Sequence, residues 1–295
     1  MNEEILAAFK RIDRTAINAD EINGFDREAL FVGKCVELLI EAGSFLITAT
    51  SIYPSGAEGW NRNQAIIGGQ LVRMYKLVDA ILDQTCKHRL ETTFILSRLH
   101  FETSVNAIYL MNYPSEKKFD SYVVYSLKHE KRLHEKITKN IEERGGGVLP
   151  IEERMLNSIE RFLEKSDVTL DEIPSKRMSD WENRNLRQRC ADIGAEDAYL
   201  SVFSNASISV HGAWGDLLQH HLEYDDGRFR AKTTFKNPRP QSLEVNAVNS
   251  AWAVAEYVSF LGLYQEREAL NSFFDDFADR VFTLQSAHEA FLQRP

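Results

Sequence analysis

Between Ala29 and Ala49 the chain is apolar or small at every position but five, and those five, Lys34, Glu37, Glu41, Ser44 and Thr48, recur every three or four residues. Such a pattern is a helix with one narrow polar stripe and an otherwise buried circumference. A bilayer span of this length would not carry three charges in regular succession. The stretch therefore demands a helical body around it, and the remainder of the chain supplies one. Helical periodicity predicts further helices over residues 3–22, 63–88, 90–112, 115–144, 150–165, 176–193, 199–219, 241–266 and 268–291. Asp26 is placed to cap the helix 27–49. Residues 50–62 hold a proline, two glycines and small polar residues, and read as a loop. Gly68–Gly69 marks a close helix contact or a kink. Pro114 ends one helix, and Gly145–Gly147 breaks the charged run before Pro150 starts another.

One segment departs from the helical pattern. In Leu222–Phe235 the pair Asp226–Gly227 lies between alternating apolar residues, a hairpin signal. The expected fold is thus all-α, a multi-helix bundle with one small β-hairpin excursion near residues 222–235. The organisation expected is a single helical domain over 1–295, with a core of roughly 30–265. Helices 3–22 and 268–291 pack on it, and 145–175 offers only a weak internal seam.

The 295 residues carry a net charge of −9, which argues against broad non-specific nucleic-acid binding without excluding a local basic groove. Cys35, Cys86 and Cys190 are widely spaced and form no CxxC pair, as expected of reduced thiols in a cytoplasmic protein. The N-terminal MNEEILAAFKRIDR has no apolar core and does not read as a secretory signal. No membrane partner and no cofactor are expected.

The candidate chemistry lies in two helices. In Tyr199–Asp216, helical spacing places Leu200, Ser204, Ser207, His211, Gly215 and Leu218 on one small-residue stripe flanked by Phe203, Ile208 and Trp214. His211 is the one large polar group of that stripe, with Ser207 one turn before it. It is either a satisfied structural imidazole or an acid/base or ligand-binding group. In helix 90–112, Arg98 and Glu102 form an i,i+4 charged pair within an apolar arc of Phe94, Ile95, Phe101, Val105 and Tyr109. The pair either fixes helix register or positions a functional group. If the two helices pack together, Glu102 accepts from His211 and raises its pKa while Arg98 faces an anion. His211, Arg98, Glu102 and Ser207 are accordingly the catalytic candidates. Trp181, Arg184 and Arg187, at helical spacing in a basic stretch, are either a solvated face anchored by the tryptophan or an anion-facing patch.

Other motifs fail on geometry. His129 and His134 are i,i+5, about 140° apart on a helix, and cannot share a metal as an HExxH pair does. Asp216 and His220 are i,i+4, with His211 and His221 nearby, but a helix fraying at Gly212 and Gly215 makes a poor metal set. No metal ligands are assigned. There is no P-loop, no GxGxxG after a strand and no GxSxG elbow.

The ordered set Arg98-x3-Glu102 within SRLHFETSVNAIYLM, then Trp181 and Arg187, then Tyr199 and Ser207-x3-His211-Gly212, resembles the bacterial family called domain of unknown function 5677. The resemblance spans roughly residues 30–265. It implies an all-helical domain with this polar set near its centre, adds Tyr199 to the binding candidates, and implies no established activity. The Ser/His helix is also faintly similar to HEPN domains, which include metal-independent ribonucleases and toxin or antiphage effectors. Those carry an arginine four to six residues before the histidine. Here the positions are Ser207, Ala206 and Asn205, so only Arg98 could replace that charge. HEPN domains commonly dimerise across this site, so a homodimer is expected under that resemblance.

Besides a weaker third, a metal hydrolase around His211, Asp216 and His220, two functional expectations follow. One is a cytoplasmic binding or regulatory protein, associated with stress or defence, whose polar cluster is structural or takes a small anionic ligand. The other is a HEPN-like ribonuclease or toxin effector with His211 as acid/base, and only then is nucleic acid a partner.

Overall fold

The structure is a computed structural model and describes residues 3–54, 56–175 and 180–294. In chain order the α-helices are α1 (Glu3–Lys10), α2 (Ala19–Asn23), α3 (Glu28–Ala49), α4 (Arg62–Cys86), α5 (Leu90–Met111), α6 (Glu116–Ser126), α7 (Lys128–Glu143) and α8 (Pro150–Ser166). They continue as α9 (Leu186–Asp192), α10 (Glu196–Ala198), α11 (Asn205–Val210), α12 (Trp214–Asp216), α13 (Pro240–Phe260), α14 (Tyr264–Ala269) and α15 (Asn271–Leu292). Strands β1 (Leu222–Asp225) and β2 (Arg228–Ala231) form the antiparallel hairpin, in the register Leu222↔Ala231 to Asp225↔Arg228. Its turn is Asp226–Gly227, both at positive φ, which is why an Asp–Gly pair suits it. The chain is all-α with one small hairpin, as expected. No helix among the described residues is long and apolar enough to cross a membrane.

Two compact units divide at Asn112/Tyr113 and Gln188/Arg189, outside the 145–175 stretch. In the larger unit, α3, α4, α5 and α13 pack in a ring, each against the next, and α15 lies against α3 and α13. Phe31, Leu38, Phe45 and Leu46 of α3 are fully buried, as its apolar circumference requires. Its polar stripe has a buried member. Glu41 meets Arg280 of α15 through two charge-assisted hydrogen bonds of 2.6 and 2.7 Å, and also accepts from Thr15 N at 2.9 Å. The smaller unit contains α6, α7 and α8. Lys131 of α7 donates to the carbonyls of Leu170 and Ile173 at 2.9 and 2.6 Å, tying down the connector after α8.

Several boundaries differ from the sequence reading, each for a local reason. The segment 3–22 is two helices, because Asn18 caps α2 by accepting from the amides of Asp20 and Glu21. Asp26 does not cap α3; Arg27 occupies that position without a side-chain cap, and Asp26 pairs with it on the surface. The run 115–144 is interrupted at Leu127. The segment 241–266 ends at Phe260, and Gly262 takes positive φ before α14. The basic stretch 176–193 is not one helix. Glu182 and Asn183 lie at positive φ, and α9 starts anew behind Asn185, whose side chain and that of Gln188 cap each other's amides at 3.0 Å. Trp181, Arg184 and Arg187 therefore share no helical face. Residues 176–179 of that stretch lie outside the described residues.

The glycine pair in α4 resolves into two different positions. A Cβ on Gly68 would meet the Trp60 ring at 2.6 Å, whereas one on Gly69 would meet nothing within 4 Å. Gly68→Ala is expected to lower stability by about 1–3 kcal/mol through overpacking. Gly69→Ala should be neutral or raise it by up to about 1 kcal/mol through helix propensity. Urea denaturation checks the pair; equal effects would contradict this packing.

Candidate functional site

Helix α5 has two polar faces, and only one was evident from spacing. Ser97, His100 and Ser104 are fully buried against α13. Asn246 Nδ2 donates to Ser97 Oγ at 2.8 Å and to the Ser242 carbonyl at 2.7 Å. Ser250 Oγ donates to the Asn246 carbonyl at 2.8 Å, so it accepts from His100 Nε2 at 3.0 Å. That fixes the proton on Nε2. Complete burial pushes the His100 pKa down to about 3, and the ring is neutral. Its partners lie about 150 residues away, which no local spacing could reveal.

The Arg98 face is half-buried and packs against the segment 199–210, so the two helical stretches singled out by spacing do meet. The Arg98 guanidinium lies over the Phe203 ring, 4.4 Å from its centroid, and the Tyr199 ring stacks on Phe203 at 5.2 Å. Arg98 Nε is buried and has no hydrogen-bond partner among the described residues. Among the described residues, Glu102 makes neither a hydrogen bond nor an ion pair with Arg98 or His211. The next residue, Thr103, accepts from Arg73 Nε of α4 at 3.2 Å.

The buried His211 seam is not what forms. Residues Tyr199–Ser204 adopt a π-helical turn, which adds a residue per turn and rotates everything after it off the 100° wheel. α11 ends at Val210, and Gly212 then takes φ +56°, turning the chain just after His211. As a result His211, Leu200, Trp214 and Leu218 are exposed. The side chains of Ser204 and Ile208 lie outside the described residues. Ser207 Oγ donates to the Phe203 carbonyl at 2.7 Å and so does not serve His211. In the smaller unit, Trp181 is buried edge-on against Tyr122, and neither Arg184 nor Arg187 is without a partner.

A second group converges at the start of α5. His221 Nε2 is 3.0 Å from Glu91 Oε1 and 3.7 Å from Asp216 Oδ2, and His220 Nε2 is 4.0 Å from Asp216 Oδ1. Burial lowers the His220 pKa despite the opposing pull of Asp216 and Glu91. Sequence reasoning considered Asp216 with the histidines and missed Glu91, which comes to them only through the tertiary fold.

These features define a helical protein with a polar, partly buried face on one central helix. The family of unknown function DUF5677 matches residues 64–229, more than half of the chain, and the chain belongs to that family. The match contains every residue of the ordered motif set. No curated protein and no solved structure matches the chain, and the similarity to HEPN domains finds no support in these comparisons.

Proposed function

We propose that the chain is a binding protein, regulatory or stress-associated in role, whose Arg98 face receives a small anionic group. Arg98 carries the reading. A half-buried guanidinium usually has a carboxylate; this one has an aromatic ring beneath it and an unpaired Nε. The ring holds the guanidinium plane in place while leaving its donors for a planar or tetrahedral anion.

A thermal-shift titration with inorganic phosphate and pyrophosphate tests this. The wild type should gain stability with anion concentration, as any ligand that binds only the folded state requires. Arg98→Met should abolish the gain while melting cooperatively. The HEPN-like alternative predicts instead that RNA is cleaved in EDTA and that His211→Ala, still folded, loses the cleavage. That outcome, or an anion response unchanged in Arg98→Met, would displace the binding reading.

A further inference from the structure

We infer that Glu91, Asp216 and His221 form a divalent transition-metal site, with His220 positioning Asp216. One donor atom from each of the three residues lies within 4.8 Å of the others. Two ligands on one tetrahedral ion with bonds of about 2.0–2.2 Å stand about 3.4 Å apart. The separations from His221 Nε2 to the two carboxylates, 3.0 and 3.7 Å, bracket that value. One imidazole and two carboxylates suit zinc or manganese.

A hydrogen bond between His221 and Glu91 would by itself account for those two residues. It does not account for Asp216. That side chain is 2% exposed, and its Oδ1 has no hydrogen-bond partner among the described residues. A buried carboxylate left without a donor is costly, and a cation held between it and its neighbours removes the cost. His220, itself 7% exposed on its side chain, stands 4.0 Å from that same oxygen. That distance is longer than a hydrogen bond, so His220 would orient a metal-bound Asp216 by closing on it.

The group is also accessible. Glu91, His220 and His221 line a cleft of about 280 Å³ whose wall carries Lys232 and Lys236. The metal's remaining position would face this cleft, and the two lysines favour an anionic ligand there. Backbone geometry holds the parts together: Lys232 N donates to the His221 carbonyl at 2.9 Å, and Leu90 N to the Lys236 carbonyl at 3.0 Å. The site uses none of the residues on which the Arg98 reading rests, so the two stand or fall separately.

Calorimetric titration of zinc chloride into chelator-stripped, desalted protein tests it. One-to-one saturable binding is expected, weakened about 100-fold or more in His221→Ala and in Glu91→Gln, since loss of an outer-shell partner alone costs 10–100-fold. Cys86→Ser and His134→Ala, neither of which is among the cluster's residues, should bind as the wild type does. Manganese(II) should broaden the ring resonances of His220 and His221 selectively in proton NMR. Because Glu91 and His221 are partly exposed, these variants keep the test independent of any folding defect in Asp216→Asn. Absence of saturable binding, or binding that survives both ligand variants, would overturn the inference.

Discussion

Glu41→Ala is expected to destabilise the protein by about 3–5 kcal/mol, the penalty for stranding one member of a buried ion pair. The side chains of Glu41 and Arg280 are 2% and 8% exposed. Arg280 Nη1 also donates to the Thr15 carbonyl, and its Nε to Asp276. Burial alone would lower the Arg280 pKa; the hydrogen bonds and charge of Glu41, with Asp276, push it up instead. Removing Glu41 strands that cation and takes the acceptor from Thr15 N. The cluster ties the segment between α1 and α2 to both α3 and α15, so the loss should appear as a lower melting temperature, on the order of 10 °C. The double variant Glu41→Leu, Arg280→Met should lose far less, because two apolar side chains leave no charge to solvate. A loss below about 1 kcal/mol in Glu41→Ala would contradict the assignment.

The second large effect is hidden in the wild type, because two buried groups oppose each other. The folded pKa of His100, about 3, lies below the ordinary 6.5. Its contribution is fully present above pH 6.5 and is lost as pH falls toward 3. Glu244, buried on α13, is raised by burial from 4.5 to about 7, with the charge of Glu289 adding to the rise. Its contribution is full below pH 4.5 and lost as pH rises through 7. One pKa unit corresponds to about 1.4 kcal/mol, so between pH 7 and 5 each contributes about 2 kcal/mol, in opposite senses. Glu244→Gln should therefore lose about 2 kcal/mol more than the wild type over that interval. His100→Gln should change by about the same amount in the other direction. Denaturant titrations at pH 5, 6 and 7 read this directly, and variants whose curves run parallel to the wild type would refute the opposed pair.

The features legible in the sequence were those set by periodicity or by turn chemistry. The Lys34-to-Thr48 stripe marked α3 as a largely buried helix, although Ile40 and Ile47 off the stripe are exposed and Glu41 on it is buried, and Asp226–Gly227 marked the hairpin. The approach of the Arg98 helix to the Tyr199–Val210 stretch, posed from the sequence only as a condition, is present in the fold. What escaped notice had one of two causes. Some breaks are made by single residues with short-range signatures that competed with a helical pattern: Asn18 before α2, the Asn185–Gln188 reciprocal cap, and Gly212 after His211. Other features join distant parts of the chain. Ser97 and His100 meet Asn246 and Ser250, Glu41 meets Arg280, and Glu91 meets His221, across 130 to 239 residues. Each partner looks ordinary in its own helix. The π-helical turn at 199–204 is a third case, since it undoes the angular bookkeeping that placed His211 in a seam.

The most direct measurement of the anion-binding reading is the side-chain Nε–H resonance of Arg98 in ¹⁵N-labelled protein, assigned by its absence in Arg98→Lys. On addition of pyrophosphate it should shift saturably, with resonances of the Phe203 and Tyr199 rings moving along the same isotherm. A resonance that stays in place while pyrophosphate is raised to saturating concentration would show that this guanidinium serves only to pack against its aromatic neighbour.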